Sequence, residues 1–334
     1  MIVMSTRSSM SWIGSRNRPS ARRVISAMRF SILFPGQGSQ FVGMGAELFE
    51  ARPDLLGDAA DEVLGWSLRE ACLNGPDEAL TRTDRAQPAL FALAYATWAE
   101  FSRLLEHAPA AAAGHSLGEY TALTAAGAFD YQTALRLVSL RGEAMARAAE
   151  EEPSGMAALI GLDRAGADSV CERRRSEGGR LWVANINAPG QIVVAGGIKD
   201  IEWALENGKA LGVRRVIPLN VAGAFHSPFM AGAAAAVEDA VRSAEIGPFS
   251  FPVYANVTAR PYSEEQVADL LGRQVVEPVR FAESIAAMDV DVFVHVGPGD
   301  VTAGMARRTV TDATVLVASD PDSWEAAARR LNEG

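Results

Sequence analysis

Ser116 stands between two glycines in Gly114-His115-Ser116-Leu117-Gly118, with Glu119-Tyr120-Thr121-Ala122-Leu123 directly after it. A serine flanked in this way suits a tight strand-to-helix turn that exposes its hydroxyl. The glycines accept backbone angles and close approaches that a side chain would block. A helix starting there would aim its free N–H groups and positive end at the hydroxyl, and at any oxyanion formed beside it. Those are the requirements for attack on an acyl carbonyl. The bland alternative is that small residues here only let neighbouring elements pack closely.

A nucleophilic serine needs a base, and the chain has four histidines. His107 lies in a polar stretch. His115 adjoins Ser116, and adjacent side chains on a sharp turn usually diverge. His295 alternates with valines in Val292-Phe293-Val294-His295-Val296, as a strand residue does. His226 falls in Ala222-Gly223-Ala224-Phe225-His226-Ser227-Pro228, between a strand pattern and a helix pattern, where loops carry function. Its position favours it as the base; the alternative is a cap on the helix that starts near Ser227-Pro228. A second glycine turn, Pro35-Gly36-Gln37-Gly38-Ser39-Gln40, follows the strand pattern Phe30–Phe34. It is not a dinucleotide fingerprint, because Phe41 occupies the third glycine position. No G-K-[ST] run occurs, so the chain has no P-loop. Exposed N–H groups on such a turn still suit an anion or oxyanion.

The elements that would hold these groups can be read from pattern. Helices are expected around 43–53, 58–73 and 86–105, then a weak, alanine-rich strand before Gly114. A helix from Ser116 to about Ala126 and another from Tyr131 to Ala149 follow. The second places Leu135, Val138, Arg141 and Met145 on one stripe. Residues 154–222 read β-α-β-β-α-β, the ferredoxin-like order. This segment divides the chain into a large catalytic unit, 29–153 with 223–334, and a small inserted unit, 154–222. Beyond it, strands are expected near Val253–Asn256, at Val292–Val296 and at Thr314–Ala318, interleaved with helices.

At 334 residues and 49% hydrophobic, the chain is long enough for one large core and a smaller one. Its net charge of −10 argues against nucleic acid as the partner. No run is long and apolar enough to span a bilayer. Cys72 and Cys171 form no metal spacing or disulfide framework, which fits a reducing cytoplasm. Residues 1–28 hold five arginines, several serines and no acid. That composition is compatible with an organellar transit peptide. The reading preferred here is a disordered or spurious extension with Met28 as the working start.

Five segments together resemble the malonyl-CoA:acyl-carrier-protein transacylases, the acyltransferases of fatty acid and polyketide synthesis. They are Phe34-Pro35-Gly36-Gln37-Gly38-Ser39-Gln40, Gly114-His115-Ser116-Leu117-Gly118-Glu119-Tyr120, Leu140-Arg141-Gly142, Gly223-Ala224-Phe225-His226-Ser227-Pro228 and Val296-Gly297-Pro298-Gly299. Asn185-Ile186-Asn187-Ala188-Pro189-Gly190-Gln191 and Arg273-Gln274 are similar to family positions as well. His295 and the alanine-rich segment before Gly114 depart from the family pattern.

The resemblance implies an α/β fold: a large α/β-hydrolase-like domain with a parallel sheet core, plus the inserted ferredoxin-like subdomain. It implies Ser116 as nucleophile and His226 as base, the latter held by the backbone carbonyl of Gln274 rather than by an Asp. It implies an oxyanion hole from the backbone N–H groups of Gln37 and Leu117. Arg141 would bind the malonyl carboxylate with its planar fork; a structural ion pair is the alternative use. Phe225, His115 and Asn185 would line the acyl site, with Phe225 resembling the malonyl-selecting residue. The implied substrates are malonyl-CoA and a holo acyl carrier protein, with no metal or redox cofactor and a monomeric enzyme. Arg214-Arg215 and Arg307-Arg308 are candidate basic contacts for the carrier. An acyl hydrolase of the same fold remains the principal alternative. An α/β-hydrolase proper expects its histidine near the C-terminus, and a docking module would not need the set Ser116, His226 and Gln37.

Overall fold

In the computed structural model residues 28–333 are described. Apart from Met28, the expectations placed on residues 1–28 lie outside them. Nine strands occur among the described residues: β1 (Phe30–Phe34), β2 (Ala111–Gly114), β3 (Ser154–Ile160), β4 (Leu181–Ala188), β5 (Gln191–Gly197), β6 (Arg215–Pro218), β7 (Val253–Tyr254), β8 (Val292–Val296) and β9 (Thr314–Ala318).

Five of them form a parallel sheet in the order β7-β2-β1-β8-β9. Every residue of β1, β2 and β8 is buried. Such strands are covered on both faces, which is why β1 and β8 read as near-continuous apolar runs instead of alternating ones. The alanines of β2 have low strand propensity. Pairing on both edges, to β1 and to β7, fixes them as a strand.

The other four strands form an antiparallel sheet in the order β4-β5-β3-β6. Helices Arg164–Ser176 and Ile198–Asn207 complete the β-α-β-β-α-β order. Alternation gives this sheet two different faces. Ala157, Leu159, Val183 and Val194 pack in its own small core. Met156, Ala158, Val193 and Ala195 point the other way, into the main core. The edge strand β4 is also stitched to the segment after residue 274: the Ile186 N–H donates to the Val279 carbonyl, and the Val279 N–H to that of Ala184, both at 2.8 Å.

The region before β2 differs from the reading above. The helical stretches 43–53 and 58–73 are broken into short helices at Ala46–Ala51, Pro53–Leu56, Asp58–Leu64 and Leu68–Asn74, with Asp77–Thr81 after them. Gly57 and Gly65 each end one of these helices. The long helix then begins at Thr83 rather than at residue 86 and runs through Pro88 to Phe101. The helices Ile198–Asn207 and Ala231–Arg242 each adjoin one turn of 3₁₀ geometry, at Gly208–Leu211 and Pro228–Met230.

Candidate active site

The Ser116 turn sits at the C-terminal end of β2, beside the end of β1. Gly114 and Gly118 are there for space. A Cβ on Gly114 would meet the Gly118 carbonyl carbon at 1.8 Å, and one on Gly118 would meet the Phe34 carbonyl oxygen at 2.4 Å. Gly36 lets the second glycine turn close onto the first, since a Cβ there would lie 2.3 Å from the His115 carbonyl oxygen. Ser116 itself has φ 51°, the left-handed region that a serine enters at a cost. The turn is held from below by Asn256, whose Oδ1 accepts from the Ser116 N–H at 2.8 Å and whose Nδ2 donates to the Gly114 carbonyl at 2.7 Å.

The hydroxyl meets His226. Ser116 Oγ and His226 Nε2 are 2.8 Å apart, and His226 Nδ1 lies 2.7 Å from the Gln274 carbonyl. A carbonyl only accepts, so Nδ1 carries the proton and Nε2 presents its lone pair to the serine O–H. Gln274 is the last residue of the Val267–Gln274 helix. A terminal helix carbonyl has no partner within its helix and lies at the negative end of the helix dipole. That supplies physically what an Asp would supply in a triad. His226 has φ 56°, and its ring does not cap the helical turn that starts at Pro228. Its loop rests on the Tyr131–Glu151 helix through Gly223, where a Cβ would meet that of Ala149 at 2.6 Å.

Arg141 reaches the same point from the Tyr131–Glu151 helix. Gly142 allows that helix to approach Thr83–Phe101, because a Cβ there would already stand 3.0 Å from the Thr83 carbonyl oxygen. Gln87 thereby comes within reach. Arg141 is 1% exposed. Its Nη1 donates to Gln87 Oε1 at 2.5 Å; its Nη2 donates to Gln274 Oε1 at 2.9 Å and to Ser116 Oγ at 3.0 Å. Nε has no partner. Among the described residues no carboxylate lies within ion-pair distance of Arg141. A buried cation with only neutral acceptors is poised to take an external anion.

Burial, and then the Arg141 charge, push the His226 imidazole down to about 3, so it stays neutral well below the usual histidine range. Burial also lowers His115, whose Nε2 lies 2.8 Å from Asn187 Oδ1 on β4. Of the backbone groups expected to form the oxyanion hole, neither the Gln37 nor the Leu117 N–H donates to a partner among the described residues. Gln37, His115, Ser116, Leu117, Arg141, Asn185, Phe225 and His226 border one cleft of about 180 Å³. Its walls come from the turns after β1 and β2, from the Tyr131–Glu151 helix at Met145, and from the antiparallel sheet at Met156, Asn185 and Val193. All the expected site residues are therefore brought together except the Gln274 side chain, which lies behind Arg141. Asn256 and Gln87 are additions. For Gln87 a signal existed: a glutamine amid Ala, Leu and Phe in a helix needs a buried partner. Asn256 offered no comparable sign.

The acyl transferase domain model matches residues 32–326. The chain belongs to that acyltransferase family. Its relatives there include the malonyl CoA-acyl carrier protein transacylase of Bacillus subtilis, 40% identical over 311 residues that cover 91% of this chain and 98% of the relative. A polyketide biosynthesis transacylase of the same organism, PksC, is 39% identical over 288 residues, covering 85% and 98%. Among solved structures, the acyl-carrier-protein S-malonyltransferase of Bartonella henselae matches with a TM-score of 0.86 at 37% identity, over 91% of this chain and 100% of that one. A malonyl-transacylase solved with a type II polyketide synthase acyl-carrier protein matches with a TM-score of 0.86 at 36% identity, over 90% and 99%.

Proposed function

We propose that this acyltransferase moves malonyl from CoA to the phosphopantetheine thiol of an acyl carrier protein, through an ester on Ser116. The observation that carries the reading is Arg141, a buried guanidinium without an anionic partner, 3.0 Å from the serine hydroxyl. A hydrolase for neutral acyl chains has no use for such a cation.

His226 takes the Ser116 proton as Oγ attacks the thioester carbonyl. The free N–H groups of Gln37 and Leu117 receive the oxyanion; such a donor is typically worth about 10²–10³ in rate. The proton on His226 then goes to the departing CoA thiolate. The carrier's thiol repeats the sequence in reverse. No metal or redox partner is required, because every step is proton or acyl transfer, and malonyl-CoA is a substrate. Phe225, buried beside His226, fills the space that a branch on the acyl α-carbon would need. His115 and Asn185 complete the acyl site. We read the parallel sheet with its Ser116 elbow as an α/β-hydrolase-like scaffold, 29–153 with 223–334, into which the 154–222 ferredoxin-like unit is inserted. Exposed Arg214, Arg215, Arg307 and Arg308 suit an acidic carrier. The reading places a monomer in the cytoplasm, which fits two buried free thiols.

Arg141 has a second effect. Its charge helps hold His226 low. A carboxylate seated on Arg141 offsets that charge, so the base strengthens when the right substrate arrives. In single-turnover acylation at saturating substrate, the acid limb is expected at higher pH for malonyl-CoA than for acetyl-CoA, because the imidazole stays neutral to lower pH when no carboxylate is bound. Coincident limbs would separate Arg141 from the base.

Intact-protein mass spectrometry tests the whole reading. Brief mixing with malonyl-CoA is expected to load one malonyl, which passes to an added holo carrier. An adduct lost to water at the same rate with or without carrier would make the enzyme a hydrolase.

A further inference from the structure

Behind the site lies a carboxylate that the chemistry above leaves unused. Glu119, in the first turn of the Gly118–Ala125 helix, is fully buried. One oxygen accepts from the Tyr262 hydroxyl at 2.5 Å and from the Asn256 N–H at 3.0 Å; the other accepts from Gln274 Nε2 at 2.5 Å. Each of those partners holds part of the site. Asn256 fixes the Ser116 turn. The Gln274 amide donates also to the Ser116 carbonyl at 2.8 Å and accepts from Arg141 Nη2 at 2.9 Å, while its backbone carbonyl holds His226.

We infer that Glu119 is the positioning residue for substrate selection: it sets the orientation of the Gln274 amide and supplies the countercharge of Arg141 at one residue's remove. The inference rests on Arg141 as the carboxylate clamp.

The argument is one of donors and acceptors. The Gln274 Nε2 faces two acceptors, the Glu119 carboxylate and the Ser116 carbonyl. Turned over, the amide would set its oxygen against both and its NH₂ against the guanidinium, which only donates. Glu119 therefore keeps Gln274 Oε1 on Arg141. The arrangement answers a physical difficulty. A buried guanidinium needs an anion nearby. An anion in direct contact would already occupy the fork that the malonyl carboxylate has to fill. Placing the anion behind a neutral amide gives the cation its countercharge without seating a carboxylate on the guanidinium itself.

Burial pushes the Glu119 carboxyl up to about 7, against the pull of the Tyr262, Gln274 and Asn256 hydrogen bonds and of Arg141. The titratable groups facing it are Tyr262, Arg141 and Tyr120. The anion, and with it the selection, is lost as pH falls through that value.

The test compares the malonyl-to-acetyl ratio of kcat/KM in wild type, Arg141→Ala and Glu119→Gln. A glutamine at 119 faces donors on both sides, so every orientation leaves one donor against another. The ratio is expected to fall about 10- to 100-fold in Glu119→Gln, the scale of one charge-assisted bond. Glu119→Asp, which keeps the charge, should recover part of it. A ratio that falls in Arg141→Ala but stays at the wild-type value in Glu119→Gln overturns this inference alone; a ratio unchanged in Arg141→Ala overturns the clamp. A second variant avoids dependence on one fold. Tyr262→Phe removes a donor to the carboxylate, so the pH below which the ratio collapses should rise. A midpoint that does not move overturns the role of Glu119.

Discussion

Replacing Ser116 by alanine is expected to abolish the covalent malonyl adduct and to lower transfer by about a millionfold, the scale for deleting a serine nucleophile that works with its base as a unit. Mass spectrometry of the intact protein checks the first effect, and carrier malonylation in the presence of holo carrier the second. The hydroxyl is the only group of residue 116 that reaches His226 Nε2, at 2.8 Å. Because the two act together, His226→Ala in the Ser116→Ala background should cost almost nothing further. Label trapped on Ser116→Ala at the wild-type rate would assign the nucleophile elsewhere.

Replacing Arg141 by alanine should produce the second largest effect, and a selective one. The planar fork offers a carboxylate two charge-assisted hydrogen bonds, together about 3–6 kcal/mol, so malonyl kcat/KM should drop roughly 10²–10⁴-fold. Acetyl-CoA has no carboxylate to lose, and its transfer should hold or rise. Arg141→Lys keeps the charge without the fork and should fall between. The substitution also strips donors from buried Gln87 and Gln274 Oε1 atoms, which typically costs about 1–3 kcal/mol for each orphaned group. Thermal unfolding run alongside separates that loss from the change in selectivity. Equal losses for malonyl and acetyl would remove Arg141 from substrate recognition.

Ser116, His226 and Arg141 are legible in the sequence for different reasons. Gly114 and Gly118 announce the turn because no other residue fits where backbone atoms come so close. His226 follows from its place in a loop and the poverty of alternatives. Arg141 is conspicuous as a charge on an apolar stripe. The network beneath them is not legible. Glu119 stands inside a recognisable run, yet nothing in its neighbours tells that Tyr262 and Gln274, far along the chain, converge on it. Long-range polar partners leave no periodic trace. The broken helices before β2 were only partly legible: Pro53, Gly57 and Gly65 are punctuation, but an apolar pattern of helical period continues across them. The β-α-β-β-α-β segment was easiest, since Met156–Ile160 and Ile192–Ala195 are short continuous apolar runs, which is what strands packed between two cores demand.

Among the described residues only three non-glycine residues adopt positive φ, and Ser116 and His226 are two of them, at 51° and 56°. Each conformation costs on the order of 1–2 kcal/mol. The serine and the histidine are therefore the places where a breeder of hardier enzymes finds the easiest gains. Selection for heat resistance alone is drawn toward glycine or asparagine at 116 and 226, and every such step trades turnover for shelf life. A screen for durable variants of this chain has to ask for acyl transfer in the same round.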